Sequence, residues 1–284
     1  MSYPSRDGQS LDAFRWLGMN RPELFTLVFV VGLANAMVPE VLKGIIDNGA
    51  VYAVLNTFQV SAIVWLAIFM AISYASAGER GVVTSRDRLV CIGLFVASLL
   101  PIGPGIWLCI TALALYLIVS SVGDAMSHRA GWVMLAITVP MFWSKRVFNF
   151  LSEYFLAFDA ELVSAITGTQ RVSNLVPIPN GSGFLQIAAP CSSMANVSLA
   201  ILCWILFTQS SGVRWQRRNV FWCAVACISV VAINVCRISL IGFFPDRYEV
   251  LHGPVGTTIA SWLTIIAVLI VCYYGVGRGR FKLI

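Results

Sequence analysis

The stretch Val220–Phe244, VFWCAVACISVVAINVCRISLIGFF, decides what kind of protein this is. It has 25 residues and a single charge, Arg237, and Arg217 and Arg218 stand just before it. A helix rises about 1.5 Å per residue, so about 20 apolar residues cover a hydrocarbon core of about 30 Å. A run of this length and composition reads as a membrane-crossing helix.

The rest of the chain agrees. Of its 284 residues, 58% are hydrophobic and 11% are charged, against about 25% charged in soluble domains. The mean hydropathy is +0.83. We expect an all-α, polytopic membrane bundle forming one integral membrane domain over 1–284, with eight spans: Leu24–Val38, Val54–Tyr74, Leu89–Leu100, Gly105–Val122, Gly131–Trp143, Cys191–Thr208, Val220–Phe244 and Val255–Val276. The third and fifth are short for a bilayer. Pro101-Ile-Gly-Pro104 reads as a tight turn between the third and fourth.

Charge orients these spans. With residues 1–23 in the cytoplasm, the inside segments hold Arg6, Arg15, Arg21, Arg80, Arg86, Arg88, Arg129, Arg214, Arg217, Arg218, Arg278, Arg280 and Lys282. The outside segments hold Lys43, Lys145, Arg146, Arg171 and Arg247, a split of 13 to 5. That is the positive-inside pattern, and it places the basic tail 277–284 in the cytoplasm as well. The net charge of +6 therefore reports membrane topology, and no nucleic-acid partner is expected. The first 20 residues carry Arg6, Asp7, Asp12 and Arg15 with no apolar core, so no cleaved leader is expected.

The long outer loop, 144–190, begins with Val147, Leu151, Tyr154, Phe155, Phe158, Leu162 and Ile166 at helical spacing. Lys145, Asn149, Ser152, Glu153 and Glu161 fall largely off that stripe. This predicts an amphipathic helix lying on the outer membrane surface or packed against the bundle. Pro177, Pro179 and Asn180-Gly-Ser-Gly183 follow as a turn-rich stretch.

Span parity brings three reactive residues to one side of the bilayer. Cys191 opens the sixth span, Arg237 lies about two turns from the outer end of the seventh, and His252 precedes the eighth. A guanidinium within a span costs about 2.5–3.5 kcal/mol on insertion scales, so it marks a polar cavity or a partner. Asn234 shares its helical face. Pro190 suits a first helical turn, which would set Cys191 among free backbone N–H groups that favour the thiolate. Cys236 is a rival nucleophile, but it lies in mid-helix without such groups. His252 can move protons near neutrality. His128, beside Arg129, reads as a surface residue. Cys91, Cys109, Cys203, Cys223, Cys227 and Cys272 sit in apolar runs without metal-ligand spacing and read as small packing residues; no metal is expected.

A nucleophile, a proton shuttle and a fixed cation are the parts of acyl transfer through a thioester. Three pieces resemble the exosortase/archaeosortase family of membrane transpeptidases: Ala189-Pro-Cys191-Ser192, Asn234-Val-Cys-Arg237-Ile238, and His252 followed by Gly253 and Gly256. The lead-in Ile178-Pro-Asn-Gly181 and Phe184-Leu-Gln-Ile-Ala188 is similar too. The family usually has glycine two residues after the cysteine, and Ser193 stands there in this chain.

The resemblance implies Cys191 as nucleophile, Arg237 as transition-state stabiliser and His252 as acid and base. Ser192, Ser193, Asn196, Asn234 and Asn180 are candidate substrate-binding residues. It implies, as substrates, secreted proteins ending in a short motif, a transmembrane helix and a basic tail, cut at the outer face and passed to an acceptor. Membrane lipid surrounds the site, and no cofactor is needed. Two other readings stay open: a transporter or flippase subunit using Arg237 to bind an anion, and a membrane scaffold that needs none of the three residues.

Overall fold

The computed structural model describes residues 18–55, 57–100, 103–181, 183–213 and 216–277. Arg6, Arg15, Pro101, Arg214, Arg278, Arg280 and Lys282 lie outside them, as do most of the 1–23 segment and nearly all of the 277–284 tail. The chain divides into two compact units. The first takes the described residues of Met1–Val60 and Phe69–Met134, the second those of Ser61–Ile68 and Leu135–Ile284.

In the first unit, α1 (Arg21–Asn48), α4 (Ser85–Leu99) and α5 (Gly103–Ser120) pack on one another, and α2 (Ala50–Leu55) packs on α1. α1 starts on a capping box. The Asn20 side chain accepts from the Glu23 N–H at 3.1 Å, and the Glu23 carboxylate accepts from the Asn20 N–H at 2.9 Å. The helix passes through Pro39 and ends at Gly49, well beyond Val38. Proline removes one ladder bond but holds a helical φ, so the helix continues through residues 40–48.

The second span begins later than expected. α3 covers Ala62–Ser76, and Val54 and Leu55 belong to α2. Between them Thr57 and Phe58 take positive φ of 51° and 55°, which no helix accommodates.

One end of this unit is tied by a buried carboxylate. Asp87, in the first turn of α4, is 2% exposed. It accepts from the Thr84 N–H at 3.0 Å, the Thr84 hydroxyl at 2.7 Å and the Tyr116 hydroxyl at 2.9 Å, and Arg21 Nε lies 3.4 Å away. The Arg21 guanidinium also donates to the Ser120 and Ser121 hydroxyls at 2.7 and 3.2 Å. The starts of α1 and α4 and the end of α5 therefore meet.

Burial opposes charge on Asp87, but the Thr84 hydroxyl and N–H, the Tyr116 hydroxyl and Arg21 outweigh it. The carboxyl is held below its ordinary value of 3.8. A lowered pKa stabilises the fold above the unfolded value and loses that contribution as pH falls through the folded one. Thermal melting should therefore show Asp87→Asn less stable than the parent at neutral pH. The gap should close on acidification below about pH 4.

α6 (Ala125–Thr138) runs into a π-helical turn, Val139–Trp143, and then α7 (Ser144–Thr167). Pro140 has no N–H, and the ladder skips to a bond from the Ser144 N–H to the Val139 carbonyl. The expected fifth span thus runs by helical backbone straight into the helix expected from the spacing over 147–166.

α7 belongs to the second unit, where it packs against α8 (Met194–Ser210), α9 (Arg217–Phe243) and the strand β1 (Leu175–Pro177). Its packed face is Asp159, Ala160, Val163, Ser164 and Thr167. Much of the apolar stripe points outward, with Tyr154 75% and Phe158 57% exposed.

Gly168, at φ 70°, ends α7, and β1 pairs antiparallel with β2 (Phe184–Gln186). This hairpin rests on a core of Ala160, Val163, Val176, Ile187, Val235 and Ile238. Beside it, α8, α9 and α11 (Pro254–Val276) share a core of Ala200, Cys203, Trp204, Ala226, Val230, Val268 and Cys272. A Cβ on Gly275 would lie 2.6 Å from the Trp204 ring, so only glycine admits that indole. A short turn, Pro245–Arg247, and α10 (Tyr248–His252) join α9 to α11.

The described residues are all-α apart from the hairpin. Among the described residues, four helical stretches are long and apolar enough to cross a membrane: Arg21–Asp47, Ala189–Ser210, Arg217–Phe243 and Pro254–Val276. Ala62–Ser76 and Pro104–Ser120 are shorter apolar helices.

Candidate active site

The site is built where β2 runs into α8. Ala189–Cys191 forms a 3-10 turn with Pro190 in its first positions. The Cys191 N–H donates to the Ala188 carbonyl at 2.9 Å and the Ser192 N–H to the Ala189 carbonyl at 3.2 Å. Ser192 is extended, at φ −68° and ψ 143°, and α8 starts only at Met194. Cys191 therefore precedes the helix and does not sit among its free N–H groups. Pro190 starts a separate turn whose own bonds use up the nearby donors.

The Cys191 thiol is free and half-buried, against the core beneath the hairpin. Its carbonyl accepts from Asn234 Nδ2 at 2.7 Å. The same amide donates to Ser193 Oγ at 3.1 Å. Ser193 in turn gives its N–H to Asp159 Oδ2 at 3.0 Å and its hydroxyl to Asp159 Oδ1 at 2.9 Å. Asp159, Ser193 and Asn234 are all buried. The turn after Cys191 is thus fastened to α7 on one side and to α9 on the other.

Arg237 follows Asn234 by three residues on α9 and is half-buried. Its Nε is buried and has no hydrogen-bond partner among the described residues. Leaving such a donor unpaired costs about 1–3 kcal/mol, which a bound acceptor would recover. Cys236 is exposed, while its neighbours Val235 and Ile238 are buried, so it faces away from this cluster.

His252 closes α10, is exposed, and stacks on Tyr248 with ring centroids 4.9 Å apart. A Cβ on Gly253 would lie 2.2 Å from the Glu249 carbonyl oxygen, and one on Gly256 2.2 Å from that of Leu251. Those two glycines permit the tight entry into α11 that fixes where His252 stands. Among the described residues no hydrogen bond or ion pair joins Cys191, Arg237 and His252 to one another.

The other candidates divide. Ser193 and Asn234 belong to the Cys191 network. Ser192 is buried, and its hydroxyl accepts from the Met194 N–H at 3.4 Å. Asn196 lies in the first turn of α8, half-buried. Asn180 lies at the exposed tip of the hairpin, which its turn chemistry explains.

A cavity of about 290 Å³ opens beside the turn, lined by Lys145, Phe148 and Asn149 of α7 and by Ala189, Ser192 and Met194. Sequence reasoning missed one residue of the network, Asp159. Its signal was an acid next to Ala160 on the small-residue face of α7, one position off the apolar stripe.

No known protein-family model matches this chain, and neither the curated proteins nor the solved structures give a match.

Proposed function

We propose that this chain is a membrane thiol transpeptidase or protease of the exosortase/archaeosortase kind. It removes C-terminal sorting tails from secreted proteins at the outer interface of the plasma membrane. The observation that carries this reading is the 2.7 Å bond from Asn234 to the Cys191 carbonyl. It joins the cysteine motif to the arginine motif across 43 residues of sequence.

In this reading all eight apolar segments cross the bilayer, with both termini in the cytoplasm and Cys191, Arg237 and His252 at the outer side. The 13-to-5 basic split supports that arrangement. The substrate's own transmembrane helix docks laterally in the bilayer, and its scissile peptide reaches the Cys191 turn.

His252 takes the thiol proton, and the sulfur attacks the scissile carbonyl to form a carbon–sulfur bond. The Arg237 guanidinium holds the resulting oxyanion. Collapse expels the amine, which leaves with a proton from His252 and carries away the helix and basic tail. An acceptor nucleophile or water then attacks the thioester, gives up its proton to His252, and restores the thiol.

A reporter protein carrying a motif, an apolar helix and a basic tail from the same genome tests this. Mixed with the purified protein in lipid vesicles, it should be shortened near the motif, as read by mass spectrometry. Reporters of this form that all stay intact contradict the reading.

The unpartnered Nε of Arg237 favours a second reading, in which this cation binds an anion for transport. That reading tolerates Cys191→Ser and fails on Arg237→Ala.

A further inference from the structure

Asp159 is 3% exposed on a face of α7 otherwise made of small residues. A buried acid is costly unless its oxygens are satisfied, and alanine, as at the next position, would pack there without that cost. No cation pairs with Asp159 among the described residues; both its oxygens are used by Ser193. Ser193 is the position where the resembling family has glycine. A glycine would keep the N–H bond to Asp159 but would lose the hydroxyl, which bridges Asp159 to Asn234.

The bonds close a ring from α7 through Ser193 and Asn234 to the Cys191 carbonyl. They fix the peptide planes that follow Cys191, so the sulfur keeps little freedom beyond rotation about its own Cα–Cβ bond. The 3-10 turn bonds hold Cys191 and Ser192 from the N-terminal side, and this ring holds the turn from the other.

We infer that Asp159 is a positioning residue for Cys191, acting through Ser193 and Asn234 to hold the turn that carries the sulfur. The inference rests on the transpeptidase reading for its meaning in catalysis. The tie itself can be tested without it. Ser193 and Asp159 form a matched pair: the hydroxyl that replaces the family's glycine is there to receive the acid.

The test uses the full chain in lipid vesicles with two readouts. The first is kcat and KM on the sorting-tail reporter. Asp159→Asn should lower kcat by about 10-fold or more with KM within about 2-fold, since misplacement acts on the chemical step. Ser193→Ala should do the same, and the double variant should be no worse than Asp159→Asn, because the two act in one network. Ser193→Thr, which keeps a hydroxyl, should restore kcat.

The second readout is the alkylation rate of Cys191 by a neutral maleimide, with exposed Cys236 in the same molecule as reference. The Cys191-to-Cys236 ratio should change by about 5-fold or more in Asp159→Asn and Ser193→Ala, at an unchanged Cys236 rate. Wild-type kcat and an unchanged ratio in a folded Asp159→Asn protein overturn the inference. If the parent shortens no reporter, the transpeptidase reading fails and the ratio alone decides whether Asp159 positions Cys191. If Asp159→Asn does not fold, Ser193→Ala carries both comparisons, because it leaves the Ser193 N–H free to donate to Asp159.

Discussion

Replacing Cys191 with alanine or serine is expected to abolish removal of the sorting tail, with full-length substrate accumulating in the membrane. The thiol is the one group that can form the covalent intermediate, and a serine hydroxyl in its place lacks the easily reached anionic form that makes a thiol nucleophilic. Neither substitution disturbs the fold as it stands. The hydrogen bonds of this residue run through its backbone, N–H to Ala188 and carbonyl to Asn234, and any side chain keeps them. Blotting for processed and unprocessed substrate, alongside the amount of the variant in the membrane fraction, checks both halves. Unimpaired processing by Cys191→Ala excludes a thioester mechanism at this residue.

Arg237→Lys is expected to lower kcat by about 10²–10³-fold, the range found when a preorganised oxyanion donor is removed. Arg237 Nε is buried and has no hydrogen-bond partner among the described residues, so a desolvated donor stands there for an oxyanion to meet. A lysine keeps the charge but has no nitrogen at that depth and no planar fork. The loss should fall on kcat more than on KM, because the oxyanion exists only in the transition state. Steady-state kinetics on the sorting-tail reporter measures the split. A lysine variant with the parent's kcat places Arg237 outside the chemistry and favours its use as a surface or transport cation.

Which parts of this were legible in the sequence follows from physics. α8, α9 and α11 lie within a few residues of the expected spans, because Arg217-Arg218, Pro254 and Gly277 bracket their apolar runs. α1 and α3 differ from expectation for backbone reasons. Pro39 can sit inside a helix, and Thr57 and Phe58 break the helix with positive φ without a glycine to announce it. The inward face of α7 was hidden for another reason. Hydropathy separates apolar from polar, but several large apolar residues of α7 point outward, and the small residues Ala160, Ser164 and Thr167 mark the contact.

The site shows the same division. Span parity gave the expectation that Cys191 and Arg237's neighbour Asn234 share a side of the bilayer; the structure shows the bond between Asn234 and the Cys191 carbonyl. The contact between them depends on the 3-10 turn at Pro190, which the motif does not spell out. Asp159 shares its helix with Glu153 and Glu161, both exposed, and a sequence cannot say which of three acids turns inward.

The most direct measurement is the capture of the acyl-enzyme. The purified chain is mixed with a substrate peptide that spans the motif and the start of the helix, quenched in acid, and digested for mass spectrometry. The account predicts a hydroxylamine-labile acyl group, of the mass of the peptide's N-terminal part, on the fragment containing Cys191. Cleaved peptide with no such adduct there, or the adduct on Cys236 instead, would contradict it.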